Sequence, residues 1–170
     1  MKWQIAVILT MLSTGVHAEG KKINTAEELV GTKKLMDITY KEQMELYGSA
    51  MRTIQSAIIT RNRMLAKKGA DLILTHPAPR SKPWSIMPTD EDKKGMKKSL
   101  LMYSKVFKRS LLGIKKSADK GKWLDANKAA YELSNACVSC HARWKNKAIS
   151  TSIAVEQMKK AAFLAKKKKK

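Results

Sequence analysis

The sequence predicts an all-α protein, and three observations support this fold class. Apolar residues recur at alternating intervals of three and four over long stretches, which is the period of an amphipathic helix. The chain has no alternating strand pattern, and glycine supplies only 8 of its 170 residues. All four prolines lie between residues 77 and 88, where they divide the chain into two helical halves. We therefore expect an antiparallel four-helix bundle.

The first 18 residues are typical of a secretory signal peptide. Lys2 supplies a short positive region, residues 5–12 form an apolar core, and Val16 and Ala18 occupy the two positions that a signal peptidase recognises. The apolar run is shorter than the roughly 20 residues that a membrane-spanning helix needs. We therefore expect cleavage near Ala18 and export to the periplasm. An uncleaved membrane anchor is the alternative.

The remaining residues, 19–170, are one domain by length, and they are strongly basic. Removing Lys2 lowers the formal charge at pH 7 from +21 to +20. A chain of this length can bury a core of its own. Despite the charge, we do not expect nucleic acid as the partner of an exported protein.

The N-terminal half holds the first two helices. Thr25 and Glu28 form a candidate capping box, and Gly31 interrupts the helical turn after it, so the main first helix is expected to begin near Thr32. Its apolar seam consists of Tyr40, Met44, Tyr47, Met51, Ile54 and Ile58. The second helix includes Met64, Leu65, Leu72 and Ile73, although no proline or glycine marks its start. Residues 75–88 then form a turn-rich loop.

The C-terminal half holds the third and fourth helices. Thr89 can cap the third helix, with three acidic residues behind it near the positive end of the helix dipole. Its apolar stripe is Met96, Leu100, Tyr103, Phe107, Leu111 and Ile114. Residues 119–121 predict a turn. The stripe of the fourth helix is Trp123, Ala126, Ala130, Leu133, Cys137, Cys140 and Trp144, so both cysteines fall on its buried side.

The fourth helix contains a C-x-x-C-H motif made by Cys137, Cys140 and His141. Residues at i, i+3 and i+4 share a helix face, so two thiols on successive turns can each form a thioether to one edge of a porphyrin. The imidazole then becomes the proximal ligand of the iron. We therefore predict one covalently attached haem c in the core, near the end of the last helix.

Two other interpretations of the motif have less support. A zinc half-site would need further ligands, and the chain has no third cysteine. A redox dithiol would need a βαβ context, which the sequence does not show. Because both cysteines belong to the motif, no structural disulfide is expected.

The motif and its flanks resemble class II cytochromes c, the cytochrome c′ family. In that family C-x-x-C-H lies near the end of the last helix, and here residues 137–145 read CVSCHARWK, with an aromatic and a basic residue after the histidine. Residues 44–54, MELYGSAMRTI, are similar to the family's Met-rich first helix with its internal glycine. The resemblance covers roughly residues 30–147. We accordingly divide the chain into a signal peptide (1–18), a haem-binding bundle (19–147) and a basic extension (148–170).

The resemblance implies that Met44 decides the function. Family members with methionine at the matching position tend to be six-coordinate electron carriers, whereas members with a nonligating residue there tend to be five-coordinate and bind nitric oxide or carbon monoxide. Met44 lies on the apolar seam and can reach the haem, so we expect it to be the distal iron ligand. A thioether ligand raises the reduction potential, which suits an electron carrier. Its alternative role is core packing. Met36, Met51 and His76 are weaker ligand candidates.

The sequence therefore predicts a carrier of single electrons. It shows no carboxylate pair, no nucleophile with a base and no phosphate loop, so we do not expect an enzyme. The competing functions are a five-coordinate protein that binds nitric oxide or carbon monoxide, and a haem-free basic helical protein that binds membranes.

The basic residues point to partners. Arg143 is a candidate for pairing with a haem propionate, with a solvated arginine as the alternative. Residues 148–170, which end in five lysines, are expected to dock on an acidic redox partner or to contact anionic lipid. A disordered tail is the alternative. Homodimers are common in the resembling family, but the sequence alone does not establish one here.

Overall fold

The computed structural model describes residues 23–167, and most of these residues are helical. The all-α prediction is confirmed. The helices are α1 (Ala26–Gly31), α2 (Tyr40–Ile59), α3 (Arg63–Thr75), α4 (Asp90–Asp119) and α5 (Trp123–Lys167). The predicted signal peptide, its cleavage at Ala18 and the last three lysines lie outside the described residues.

Two capping boxes define the start of the first two helices. At α1, Thr25 Oγ1 accepts a hydrogen bond from the Glu28 amide at 3.1 Å, and the Glu28 carboxylate accepts one from the Thr25 amide at 3.2 Å, as predicted. The expected start of the main helix near Thr32 is wrong. Helix α2 begins at Tyr40 because Thr39 and Glu42 form a second box with the same two bonds, at 3.2 and 2.6 Å.

The chain between α1 and α2 pairs with the proline-rich loop. The two-residue strands β1 (Leu35–Met36) and β2 (Ala78–Pro79) run parallel. Lys33 crosses to the end of α3, where its Nζ donates to the carbonyl oxygen of His76 at 3.4 Å. Burial of this ammonium group lowers the pKa of Lys33. The region is therefore tied to the loop rather than helical.

The remaining boundaries follow local chemistry. Between α2 and α3, Arg61 has a φ of +52°, and the Asn62 side chain caps α3 by accepting from the Leu65 amide at 3.0 Å. A 3₁₀ turn (Pro83–Ile86) precedes α4, which Thr89 caps as predicted. The predicted turn after α4 is confirmed, and Gly121 supplies its positive φ of +67°.

The four long helices share one aliphatic core. Helix α2 packs on α3 and α5, and α4 packs on α3 and α5. All four contribute small or branched side chains, and Gly69 lets α3 approach α2 so closely that a Cβ there would lie 2.8 Å from Ile54. We call this set the aliphatic core: Ala50, Ile54, Ala57, Ile58, Ala66, Ala70, Ile73, Leu111, Ile114, Ala118, Ala126, Ala130 and Leu133.

A second, smaller cluster joins α1 and the 3₁₀ turn to α4 and α5. We call it the aromatic cluster: Ala26, Trp84, Met87, Met96 and Trp144. Lys97 lies over the Trp84 ring at 5.2 Å and pairs with Glu27 of α1 at 2.7 Å. The hydrogen bond from Lys97 lowers the pKa of Glu27. This cluster holds the short helix α1 against the longer ones.

Helix α5 is 45 residues long and continues through residue 147 to Lys167 without a break. The basic extension is therefore helical as far as it is described. Within residues 23–167, no helix is both long and apolar enough to cross a membrane.

Candidate functional site

A half-buried layer lies between the aliphatic core and the aromatic cluster. On α5 it falls between Leu133 and Trp144, and on α4 between Met96 and Leu111. Its side chains are neither fully packed nor fully exposed. We call this set the middle layer: Tyr40, Met44, Tyr47, Tyr103, Cys137 and Cys140.

The C-x-x-C-H motif lies in the uninterrupted part of α5. Cys137 and Cys140 are free thiols on successive turns, and both are half-buried, whereas His141 is exposed. Both residues thus keep part of their surface exposed. The stripe predicted for the fourth helix thus reaches the motif, with Leu133 and Trp144 buried on either side.

Both thiols face tyrosines of α2. Tyr40 lies near Cys140 and Tyr47 lies near Cys137, so α2 runs antiparallel to α5 at this level. Burial raises the pKa of Tyr47 to about 12, and it raises the pKa of Tyr40 further. Both phenols are therefore neutral at physiological pH and offer aromatic surface to the space beside the thiols.

Burial also raises the pKa of each cysteine, and for Cys137 the neighbouring Cys140 adds to this effect. A redox-active C-x-x-C dithiol works through a lowered thiol pKa, because the thiolate is the nucleophile. The shift here has the opposite sign. The electrostatics of the motif therefore disfavour the thioredoxin-like interpretation.

Met44 lies on the same face of α2 as the two tyrosines, four residues after Tyr40 and three before Tyr47, and it is half-buried. Met44 thus belongs to the same row of α2 residues as Tyr40 and Tyr47. Met51, two turns further along, packs against the aliphatic core instead. Met36 is exposed on strand β1.

A polar group beside this row was not singled out from the sequence. Gln43 is buried, and its Nε2 donates to Tyr47 Oη and to the Pro77 carbonyl oxygen, each at 3.3 Å. His76 contacts Tyr47 edge-on, with ring centroids 6.1 Å apart. The proline-rich loop thus orients one tyrosine of the middle layer, a contact between residues too distant in sequence for helical periodicity to indicate.

Arg143 and Trp144 follow the motif on α5. Arg143 is exposed, and its guanidinium lies 5.2 Å from the centre of the Trp144 ring. Trp144 is buried against Gly95 of α4, and its Nε1 has no hydrogen-bond partner among the described residues. The position of Arg143 gives it a stacking role on Trp144, while contact with a haem propionate stays a prediction.

The donor set fits a covalently attached haem. Two free thiols on successive turns and an exposed imidazole on the next residue match the attachment groups and the proximal ligand. The thioether of Met44 and two neutral phenols stand on the facing helix. In the described part of the chain, no three His, Cys, Asp or Glu side chains are grouped so as to hold a metal ion.

Two open grooves lie away from the motif. One, of about 580 Å³, is lined by residues of the α2–α3 and α4–α5 turns, and one, of about 390 Å³, lies between α2 and the start of α5. Neither is lined by Met44, Cys137 or Cys140.

Comparisons with models of known protein families, with curated proteins and with solved structures found no match. The function is therefore inferred from the chain's own residues. The residues that bear most directly on it are those of the middle layer.

Proposed function

We propose that this protein is an exported electron carrier that holds one haem covalently in the middle layer. Cys137 and Cys140 would form the two thioether bonds, and His141 would be the proximal ligand. The observation that carries the proposal is the pair of free, half-buried thiols on successive turns of α5, facing α2 across a layer that the two apolar clusters leave incompletely buried.

Met44 is proposed as the distal ligand. It is half-buried on the face of α2 that carries Tyr40 and Tyr47, the two residues found beside the thiols. When bound, haem supplies one-electron redox chemistry at its iron. The chain's contribution is to supply the ligands, to exclude water with the phenol rings, and to separate the site from the surface through the neighbouring clusters.

The finer architecture belongs to the same proposal. Helices α2, α3, α4 and α5 each pack on two of the others in a closed cycle, which supports a four-helix bundle. A haem motif on the last helix of such a bundle, with methionine on the first long helix, is the arrangement expected for class II cytochromes c. Dimerisation, common in that family, stays a prediction.

Location and partners complete the proposal. The sequence of residues 1–18 supports export to the periplasm, where c-type haem is attached. The charge of +21 supports docking to acidic redox partners, since complementary charge accelerates association. The basic extension, residues 148–170, continues α5 as a basic helix as far as Lys167. We propose that it adds to this attraction, or contacts anionic lipid.

The test is an absorption spectrum of the reduced protein with and without carbon monoxide, for wild type, Met44→Ala and Met51→Ala. Both methionines are half-buried on α2, so Met51→Ala is a matched control for loss of a methionine side chain. We expect a low-spin wild-type spectrum that carbon monoxide leaves largely unchanged. Met44→Ala should become high-spin and bind carbon monoxide, whereas Met51→Ala should stay low-spin.

Other outcomes point elsewhere. A wild-type spectrum that is already high-spin and shifts with carbon monoxide would indicate an open distal site and a gas-binding protein. A low-spin spectrum in Met44→Ala that is lost in Met51→Ala would transfer the ligand role to Met51. Absence of haem would remove the electron-carrier proposal altogether.

A further inference from the structure

One end of the molecule is formed by two adjacent turns. We call residues 59–64, which join α2 to α3, and residues 119–124, which join α4 to α5, the turn end. The two turns meet through an ion pair of 3.0 Å between Lys67 Nζ and Asp119 Oδ1. They also share the groove of about 580 Å³, which is lined by Arg61, Arg63, Met64, Lys67, Gly121 and Trp123.

Among the residues whose burial is described, 23–148 and Lys160, the three most exposed large apolar side chains lie at the turn end. Ile59 and Met64 are each 81 % exposed and Leu124 is 87 % exposed, whereas the next most exposed large apolar residue, Tyr131, reaches 66 %. A single exposed apolar side chain is ordinary in a soluble protein. Three of the most exposed ones on two neighbouring turns make this end of the molecule a candidate contact surface.

The two segments that carry these apolar side chains are rich in cations. Residues 59–68 contain Arg61, Arg63, Lys67 and Lys68 and no acidic residue. Residues 116–128 contain four lysines and two aspartates, one of which is Asp119 in its pair with Lys67. The two segments together have a net charge of +6 at pH 7, so a partner of this surface carries negative charge.

Trp123 adds a third kind of side chain. It is half-buried, lines the groove beside Arg61 and Met64, and packs against the aliphatic core. Tryptophan at the boundary between apolar and polar surroundings is typical of groups that rest at the headgroup level of a bilayer. Lysine and arginine around it can place their charges among phosphates while their methylene stems stay in apolar surroundings.

From these observations we infer that the turn end docks on an anionic phospholipid surface. Ile59, Met64 and Leu124 enter the boundary between headgroups and acyl chains, and the surrounding cations bind lipid phosphates. A lipid surface fits better than an acidic protein because side chains exposed by more than 80 % project from the turns and enter lipid without a matching pocket. The groove beside Met64 is lined by Arg61 and Arg63, with Lys67 held by Asp119, and it can receive one lipid phosphate group.

The inferred orientation places the candidate haem site away from the lipid. Cys137 lies 14 residues beyond Trp123, which is about 21 Å along the axis of α5. Residues 148–167 continue α5 in the direction away from the turn end. The docking surface is thus separate from the basic extension, and it does not depend on haem, so each proposal can fail without the other.

The test is co-sedimentation with phospholipid vesicles. The chain is expressed with its own N-terminal segment, and the protein recovered from that expression is mixed with the vesicles. Vesicles of phosphatidylglycerol mixed with phosphatidylcholine are compared with vesicles of phosphatidylcholine alone. We expect binding only to the anionic vesicles. The triple variant Ile59→Ser, Met64→Ser, Leu124→Ser should bind at least about tenfold more weakly, because it loses the inserted apolar groups. Circular dichroism verifies its helix content.

Three further variants sharpen the result. Met102→Ser with Leu112→Ser removes exposed apolar side chains from the middle of α4 and should leave binding unchanged. Lys120→Gln with Lys122→Gln should weaken binding at least about fivefold, whereas Lys105→Gln with Lys108→Gln, which removes two exposed charges from α4, should have a smaller effect.

Three results would overturn the inference. The first is a failure of the wild-type protein to bind the anionic vesicles, whether or not it binds an acidic protein instead. The second is binding that survives in the triple variant but is lost when residues 166–170 are changed to glutamine, which would assign lipid contact to the basic extension. The third is an equal loss of vesicle binding in the Met102→Ser, Leu112→Ser variant, which would mean that any exposed apolar side chain suffices for binding.

Discussion

The aliphatic core and the middle layer are adjacent on the same helices, yet they differ in the type and in the burial of their side chains. The core consists of alanine, isoleucine and leucine, and Ile54, Leu111, Ile114 and Leu133 are at most 1 % exposed. The middle layer consists of thiol, thioether and phenol side chains that are only half-buried. The core is fully buried by the chain's own atoms, whereas the side chains of the middle layer keep part of their surface exposed.

The difference teaches where a cofactor can be accommodated. A close-packed core gains nothing from a further group and loses stability when one is inserted. A layer of larger, partly exposed and chemically reactive side chains, held between two dry clusters, gains buried surface when a flat apolar ring system enters. Cys137 and Cys140 are half-buried rather than fully buried, with Cys140 against the edge of the aromatic cluster, and partial burial of both thiols is what the proposed function requires.

The largest effect on stability is expected in the aliphatic core. Leu133→Ala removes a side chain that is fully buried on α5 and should lower the free energy of unfolding by about 2–5 kcal/mol, through lost burial and the cavity that remains. Denaturant unfolding followed by circular dichroism measures this loss.

Two comparison variants show whether the core and the layer differ as described. Leu124→Ala, on the same helix but 87 % exposed, should change the unfolding free energy by no more than about 0.5 kcal/mol. Met44→Ala, measured in a haem-free Cys137→Ser, Cys140→Ser background, should cost about 1 kcal/mol. A cost for Met44→Ala equal to that of Leu133→Ala would show that the middle layer is already packed without haem.

The aromatic cluster lies on the other side of the middle layer, and a substitution at Gly95 tests how tightly this cluster is packed. A Cβ at Gly95 would lie 2.8 Å from Cη2 of Trp144, so Gly95→Ala forces the indole to move. The gain in helix propensity is about 1 kcal/mol, and overpacking costs about 1–3 kcal/mol. We expect a net loss of about 1 kcal/mol in the unfolding free energy, measured by denaturant unfolding.

Gly48 is the matched control. It also lies inside a helix, but a Cβ there meets only the Arg52 guanidinium, at 3.7 Å. Gly48→Ala should therefore stabilise the protein by about 0.5–1 kcal/mol through propensity alone. Stabilisation by both substitutions would mean that Trp144 is free to shift and that the cluster does not confine the layer.

A smaller effect is expected where α5 is tied to the start of α4 next to the aromatic cluster. A hydrogen bond from Lys147 holds the pKa of Asp92 below its ordinary value of 3.8, and Thr89 contributes in the same direction. A depressed carboxyl pKa stabilises the fold above the ordinary value, and this stabilisation is lost as the pH falls through the folded-state pKa. The thermal midpoint should therefore fall on acidification below pH 3.8.

Lys147→Gln should make that acid dependence shallower, because Asp92 then titrates nearer its ordinary value. Lys145→Gln, an exposed substitution two residues earlier on α5, is the control and should leave the acid profile as in wild type. Thermal scans from about pH 7 to about pH 2 measure both. Identical profiles for the two variants would exclude a role for the Lys147–Asp92 pair.

Local patterns in the sequence predicted most of the helices. The apolar stripes of α4 and α5, the Thr89 cap and the turn at Gly121 depend on residues within a few positions of each other, so periodicity and capping rules suffice. The predicted start of α2 near Thr32 is wrong because the helix begins only where Thr39 and Glu42 form a capping box, eight residues after Gly31. The pairing of β1 with β2 joins residues 43 positions apart and has no local signal.

The candidate site was likewise predictable from the sequence only in its local features. The motif placed Cys137 and Cys140 on the inward stripe of one helix, which the structure shows as half-buried positions. The thiols' neighbours depend on the packing of α2 against α5, so the roles of Gln43 and His76 beside Tyr47 could not be read from spacing. The position of Trp144 against Gly95 likewise depends on how α4 meets α5.

The most direct test of the central claim is mass spectrometry of the denatured protein. The chain is expressed with a c-type cytochrome maturation system, beside the Cys137→Ser, Cys140→Ser variant as control. We predict that wild type keeps the mass of one haem after denaturation and that the variant has none. A folded, exported wild-type chain with both thiols free and no added haem mass would contradict the account.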